Sequence, residues 1–125
     1  MCKFTIFIPS FNRAKELDRL LQSIESQTFR DFECLIVDDG SQDDTFIICK
    51  NWQERCSFMI RYEYQLNSGK HIARNRALEL ASGKFFVTVD SDAVLLPSCL
   101  MRMNYWIESG LVIHSGDVIG VEGHM

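Results

Sequence analysis

The sequence predicts an α/β protein: a mainly parallel central sheet with helices on both faces, three layers in all, and a short C-terminal hairpin. Two observations carry this. Segments of strand character alternate four times with segments of helical periodicity, the pattern of parallel strands joined by crossover helices. In addition, the three most unusual polar clusters, around residues 9–13, 38–41 and 90–92, each follow directly on an apolar strand. Such clusters would share the carboxyl rim of one sheet, where open α/β folds bind their ligands.

Residues 4–8 (Phe-Thr-Ile-Phe-Ile) are apolar on both faces, as in a central parallel strand, and Pro9 ends them. Asn12 is a candidate cap for the amphipathic helix that follows, whose stripe is Ala14, Leu17, Leu20, Leu21 and Ile24 and whose end lies near Ser26 and Gln27. Residues 32–37 form the second strand and run into Asp38-Asp39-Gly40-Ser41. Gln42-Asp43-Asp44 opens a second helix, its acids suiting the positive end of a helix dipole, with Ile48, Cys49, Trp52 and Cys56 inward. Residues 58–64 alternate Met59, Arg61 and Glu63 with Phe58, Ile60, Tyr62 and Tyr64, which puts this strand near the sheet edge. After an Asn67-Ser68-Gly69 turn, a third helix starts at Lys70, with Ala73, Ala77, Leu80 and Ala81 inward and Gly83 as its C-terminal cap. Residues 85–89 are short, β-branched and aromatic, hence a buried strand, and they end in Asp90-Ser91-Asp92. Pro97 fits the first turn of a fourth helix carrying Leu100, Met103 and Ile107, which Gly110 stops. Residues 111–113 and 118–121 read as a hairpin about Ser115-Gly116-Asp117.

The bulk numbers narrow the function. A chain of 125 residues, 46% hydrophobic and 24% charged, builds one domain with a proper core. A net charge of −4 removes the broad basic footprint that nucleic-acid binding needs. No apolar run approaches a membrane span or the apolar region of a signal peptide. The five cysteines are odd in number, scattered and without a Cys-x-x-Cys pair, so they indicate core thiols in a reducing cytoplasm rather than zinc or redox chemistry.

What chemistry could the rim do? Asp90 and Asp92 are oxygen donors one residue apart, and such carboxylates repel unless a hard divalent cation such as Mg²⁺ or Mn²⁺ lies beside them. Alone they read more readily as a polar turn; three polar clusters on one rim reverse that. Asp38 and Asp39 are adjacent, so one can face a ligand while the other caps a helix or holds the loop. Lys70, His71, Arg74 and Arg76 gather at a helix start after Ser68-Gly69, a reasonable phosphate site in which Lys70 and Arg74 share a face. Arg76 fits the solvated face better, His71 stays open, and His114 and His124 are incidental. Several alternatives fall away: there is no dinucleotide fingerprint, Walker A loop, EF-hand or nucleophile elbow. A phospho-acceptor receiver domain would carry its acid pair after the first strand and a lysine after the fifth, whereas here the pair follows the second and the last lysine is Lys84.

Five blocks in register carry a resemblance. They are Ile8-Pro9-Ser10-Phe11-Asn12-Arg13, Ser23-Ile24-Glu25-Ser26-Gln27-Thr28-Phe29, residues 35–45 around Asp38-Asp39-Gly40-Ser41, Gly69-Lys70-His71-Ile72-Ala73-Arg74-Asn75 and Val89-Asp90-Ser91-Asp92. Together they resemble the family 2 glycosyltransferases, over nearly the whole chain. The resemblance implies a Rossmann-like GT-A sandwich that transfers a sugar from a nucleotide-diphosphate donor, UDP-sugars foremost, usually with inversion. It implies that the loop of Pro9, Ser10, Asn12 and Arg13, with Asp39, holds the nucleobase, and Asp38 is counted among the donor-binding residues beside it. Asp90 and Asp92, with Ser91 between them, form the DXD motif, Asp90 contacting the ribose or the metal shell and Asp92 binding Mn²⁺ or Mg²⁺ directly, and Lys70 and Arg74 lie near the diphosphate. The acceptor would be a glycan or a lipid-linked group, as in polysaccharide biosynthesis, and the site cytoplasmic, at the inner face of the membrane.

Two departures matter. Family members continue well past this length and take their general base and most of the acceptor site from the later part. Of the acids that follow the metal motif here, Glu108, Asp117 and Glu122, none falls in a recognisable base motif, and Ala93 stands where many members place another Asp. Residues 1–125 are therefore expected to be a single nucleotide-sugar-binding domain, truncated at its C-terminus. Its open sheet edge would invite self-association into a homo-oligomer. The alternative function is a non-catalytic nucleotide-sugar-binding or interaction module.

Overall fold

A computed structural model describes residues 2–110 and the backbone of residues 118–121. The elements run β1 (Phe4–Ser10), α1 (Ala14–Glu25), β2 (Phe32–Asp38), α2 (Thr45–Arg55), β3 (Met59–Tyr64), α3 (Lys70–Leu80), β4 (Phe85–Val89), α4 (Cys99–Glu108) and β5 (Val118–Val121). The strands lie in the order β3-β2-β1-β4-β5, and every pairing is parallel. β1 is central: it pairs with β2 from Phe4↔Phe32 to Ser10↔Asp38 and with β4 from Phe4↔Phe85 to Phe7↔Thr88. That is why its residues are apolar on both faces. β3, the strand with alternating polarity, is at the edge.

The strand period of two divides the core between the two faces. Phe4, Ile6, Ile8, Cys34, Ile36, Phe85 and Val87 point to one face, where they meet Leu17, Leu20, Leu21 and Ile24 of α1, Cys49 and Trp52 of α2, and Leu100 and Met103 of α4. Each fully buried Leu, Ile or Phe in that layer contributes roughly 1.5–3 kcal/mol. On the other face Phe7, Leu35, Val37 and Phe86 meet Ala73 and Ala77 of α3. Alanines one turn apart let α3 sit close to the sheet; a larger residue at Ala77 would overfill this layer at a cost of roughly 1–3 kcal/mol. Burial pushes the Cys34 thiol up and that of Cys49 to about 12, so both are inert core residues.

The structure revises four local expectations. Gly83 does not cap α3, which ends at Leu80 with Ala81 already extended. Gly83 instead lies against β1: its N–H donates to Thr5 Oγ1 at 2.8 Å, and a Cβ there would come within 2.4 Å of the Thr5 nitrogen. Asn12 does not cap α1; the first residue before the helix is Arg13, and the N–H of Ala14 donates to Asp43 Oδ2 at 3.1 Å. Pro97 precedes α4, outside its first turn, and there its carbonyl accepts the Thr28 N–H at 3.0 Å. Finally, the strand Val118–Val121 adds to the sheet parallel to β4; its expected hairpin partner, residues 111–113, lies outside the described residues, as do Ser115-Gly116-Asp117.

One buried acid sits at the amino end of the sheet. Glu33, only 3% exposed, accepts from Thr5 Oγ1 at 2.6 Å, from the Ser82 N–H at 2.7 Å and from Arg61 Nη1 at 3.1 Å. Burial works to raise its pKa, but the bonds from Thr5, Ser82 and Arg61 outweigh it and hold the carboxyl below the usual range. Among the described residues, no helix is long and apolar enough to cross a membrane.

Candidate functional site

The strand order reverses direction at β1. From β1 the chain steps outward to β2 and β3, then returns across the sheet to β4 on the other side. The loops leaving β1 and β4 therefore diverge, and a crevice opens between them at the carboxyl rim. A cavity of about 280 Å³ occupies this point, lined by Pro9, Ser10, Phe11, Arg13, Asp39, Lys70, Ala73, Asp90, Ser91 and Asp92. Residues far apart in sequence converge there because β1, β2 and β4 are neighbours and α3 packs over β1 and β2.

Each wall has its own support. Pro9 and Ser10 end β1, and the Ser10 carbonyl accepts the Asp39 N–H at 2.9 Å, tying the β1 and β2 exits together. Asn12 reinforces that tie. Its backbone is left-handed (φ 52°), a conformation Asn tolerates better than most residues, and this lets Oδ1 accept the Gln42 N–H while its own N–H donates to Ser41 Oγ, both at 2.8 Å. Asn12 thus braces the loop and lies off the cavity. Asp38 is also outside it: buried, it accepts from the Ser41 N–H at 2.9 Å and from the Tyr62 hydroxyl at 2.5 Å. Burial, then the Asp38 bond and charge, push Tyr62 well up, so its hydroxyl stays a donor.

Asp39 does line the cavity, and its carboxylate also anchors the β3–α3 loop. It accepts from Gln65 Nε2 at 2.8 Å, the Ser68 N–H at 2.7 Å and the Gly69 N–H at 3.1 Å. Although desolvation acts to raise its pKa, these three donors lower it, so Asp39 is ionised at neutral pH. The same loop delivers Lys70, whose exposed side chain borders the cavity at the first turn of α3. Arg74 is exposed one turn further along and does not line it; His71 is exposed, and Arg76 pairs with Glu63 at 2.9 Å.

Asp90, Ser91 and Asp92 form the opposite wall. The Ala93 N–H donates to the Asp90 carbonyl at 3.0 Å and closes a turn at the end of β4. The loop beyond is held from α1: Ser23 Oγ accepts the Leu95 N–H at 3.0 Å, and Gln27 accepts from the Leu100 N–H at 3.1 Å while donating to the Leu96 carbonyl at 2.7 Å. This gives the Ser23-to-Phe29 block a physical reason that sequence alone does not supply. By contrast, the Asp90 and Asp92 carboxylates make no hydrogen bond or ion pair among the described residues, and the buried hydroxyl of Ser10, a residue 4% exposed, has no partner there either. No set of three or more metal-capable side chains gathers among the described residues. Asp90 and Asp92 are instead a partial, all-oxygen donor set, of the kind that suits Mg²⁺ or Mn²⁺ when phosphate oxygens and water supply the remainder. Glu108 lies away from the rim, paired with Lys3 ahead of β1, and Asp117, Glu122, His114 and His124 lie outside the described residues.

The chain is similar to known proteins over most of its length. The model for "Glycosyl transferase family 2" matches residues 5–124. A GalNAc(5)-diNAcBac-PP-undecaprenol beta-1,3-glucosyltransferase of Campylobacter jejuni is 34% identical over 106 residues, covering 82% of this chain and 34% of that protein. Staphylococcus aureus TarS, solved in complex with UDP-GlcNAc, superposes with a TM-score of 0.80 at 32% identity over 86% of this chain and 31% of the solved one. A Pyrobaculum calidifontis mannosyltransferase, solved with GDP-Man and Mn²⁺, gives 0.76 at 27% identity over 85% and 32%. The chain thus spans about a third of the length of these relatives. With the family model covering nearly every residue and the sheet superposing on GT-A enzymes, the chain belongs to glycosyl transferase family 2.

Proposed function

We propose that residues 1–125 form a nucleotide-sugar-binding domain that holds a nucleotide-diphosphate sugar, a UDP-sugar foremost, for transfer to an acceptor hydroxyl with inversion. The observation that carries this reading is the convergence on one cavity of Ser10, whose buried hydroxyl has no partner among the described residues, with the Asp90 and Asp92 carboxylates. Buried polar atoms are rarely left without partners, which singles out Ser10, while half-buried Asp90 and exposed Asp92 bring two acceptors to the same crevice.

In this reading Pro9, Ser10 and Asp39 hold the nucleoside, with Arg13 at the mouth. Asp90 and Ser91 border the ribose, Asp90 and Asp92 hold Mn²⁺ or Mg²⁺, and Lys70 meets the diphosphate. Asp38, Asn12 and Arg74 act from behind or beside the site. The ion, when bound, offsets the charge that develops on the departing diphosphate. The chain's own residues fix the donor so that its anomeric carbon is open to an acceptor oxygen. The new C–O bond forms as the bond to the diphosphate breaks, the electron pair leaves with the nucleoside diphosphate, and the acceptor hydroxyl's proton passes to a base other than the cavity's lining residues. The Campylobacter relative is named for a PP-undecaprenol acceptor and Staphylococcus aureus TarS for poly(ribitol-phosphate), and we extend that class of lipid-linked and polymer acceptors to this chain.

A second reading, a donor-binding module without turnover of its own, also has an observation behind it. The carboxylates on the cavity are Asp39, with three bonds already made, and the two proposed metal ligands, which leaves no evident general base among the lining residues. Calorimetric titration with UDP- and GDP-sugars, with and without Mn²⁺, tests what both readings share, and the absence of binding with metal present would overturn them. Sugar transfer by residues 1–125 alone would eliminate the module.

A further inference from the structure

The polar node around Asp39 contains a residue that no motif indicates. Gln65 is the first residue past β3; its N–H donates to the Asp38 carbonyl at 2.9 Å and its Nε2 donates to Asp39 Oδ1 at 2.8 Å. A carboxylate only accepts, so chemistry fixes the orientation of the amide: nitrogen towards Asp39 and Oε1 away from it. Among the described residues that Oε1 is buried and meets no donor. An orphaned buried acceptor costs roughly 1–3 kcal/mol, so what the other end of the amide does for Asp39 has to offset that cost.

The lone pairs of Asp39 show what Gln65 achieves. Oδ1 takes both Gln65 Nε2 and the Ser68 N–H; Oδ2 takes only the Gly69 N–H. Each carboxylate oxygen has room for about two donors. One acceptor position therefore remains, on Oδ2, of a residue that lines the cavity. We propose that Gln65 is a positioning residue for the nucleobase: by saturating Oδ1 and fixing the carboxylate plane, it leaves a single acceptor for a ring N–H, and through the same carboxylate it couples the base end of the site to the loop that delivers Lys70. Bases with a ring N–H on the pairing edge, uracil and guanine, are accepted; cytosine and adenine, which present a bare ring nitrogen there, are repelled by the carboxylate lone pair. Gln65 touches no donor atom in this scheme and acts only through Asp39.

The inference rests on the donor-site reading of the same cavity, and the test separates the two. The full chain is titrated with UDP, CDP, GDP and ADP in Mn²⁺, as wild type and as Gln65→Met, which keeps the volume and removes the amide. Wild type should prefer UDP over CDP and GDP over ADP; Gln65→Met should reduce those ratios by roughly tenfold, the worth of one hydrogen bond to a charged group, while the Mn²⁺ requirement stays. Gln65→Glu gives a second readout that a structural role would not move. Its carboxyl faces Asp39 and can replace the lost donor only when protonated, so its UDP affinity relative to wild type should be poor at pH 8 and recover towards pH 5. If wild type binds no nucleotide, the donor site itself is wrong. If wild type binds and discriminates, but Gln65→Met keeps the same ratios or Gln65→Glu shows no recovery at low pH, the role of Gln65 is overturned.

Discussion

The two ends of the parallel sheet treat buried polar groups in opposite ways. At the amino end, the Glu33 carboxylate is enclosed, and each of its oxygens has a donor: Thr5 and Ser82 on Oε2 and Arg61 on Oε1. At the carboxyl end of the same strands, the Ser10 hydroxyl is equally buried and has no partner, while Asp90 and Asp92 face a cavity with nothing bonded to them among the described residues. Burial alone does not tell a structural polar group, such as Glu33, from an unpaired one, such as Ser10. Satisfaction does: a closed network contributes to stability, and an open one awaits a ligand. Changes at the amino end should therefore be read in melting, and changes at the rim in binding.

The largest expected effect breaks the closed end. Glu33→Ala leaves Arg61 without its carboxylate and strips the Thr5 and Ser82 donors, so urea unfolding should show a loss of about 3–5 kcal/mol. A change below 1 kcal/mol would mean that the network is ornamental. At the rim, Asp92→Ala should abolish Mn²⁺-dependent nucleotide binding, a loss of about a hundredfold by calorimetry, with the melting temperature nearly unchanged. Retained Mn²⁺ dependence in that variant would remove Asp92 from the ligand set.

Acid separates the ends next. Glu33, Glu25, Asp39 and Asp43 all have lowered pKa values in the folded chain. The unfolded chain then binds more protons, so the stability they contribute is complete above the ordinary carboxylate range near about 4.3 and is lost as pH falls through the lowered folded values. Thermal melts from pH 6 to pH 2 should show this decline, and Glu33→Gln should flatten it; an unchanged acid limb would assign it to the other acids. The smallest effect is at Ser10. Removing its orphaned hydroxyl in Ser10→Ala should leave stability unchanged or raise it by up to about 1 kcal/mol, yet weaken donor binding severalfold. A clear loss of stability would show that the hydroxyl has a partner within the fold.

Much of this was legible in the residues. The central position of β1 follows from its two apolar faces, the edge position of β3 from its alternation, and the shared rim from three polar clusters at strand ends. What escaped was whatever depends on a neighbour distant in sequence. Gly83 sits where a helix-capping glycine belongs, but it is needed for contact with Thr5 on another strand. Asn12 has the side chain of a cap, yet its left-handed backbone turns it to the β2 exit. The resemblance favours Asp39 over Asp38 without giving the cause; the register of β2 supplies it, burying the first acid and leaving the second at the cavity. Gln65 offered no signal at all, since a glutamine after a strand is ordinary until its partner is known.

The reversal of strand order at β1 also has a consequence for how the site comes into being. One wall, with Ser10, Arg13 and Asp39, is assembled from β1, α1 and β2, whose contacts span short stretches of chain. The other wall arrives only with β4, when Phe85 pairs beside Phe4 at the far end of the sequence. Loop closure over such a distance is slow, so a nascent chain would form the nucleoside wall well before the acidic one. In the proposed reading a donor with its metal would bridge the early and late halves, and by mass action it would stabilise only the chain in which both are joined. Substrate would thus report completed synthesis of the domain, protecting finished chains from unfolding while giving no shelter to those still lacking β4.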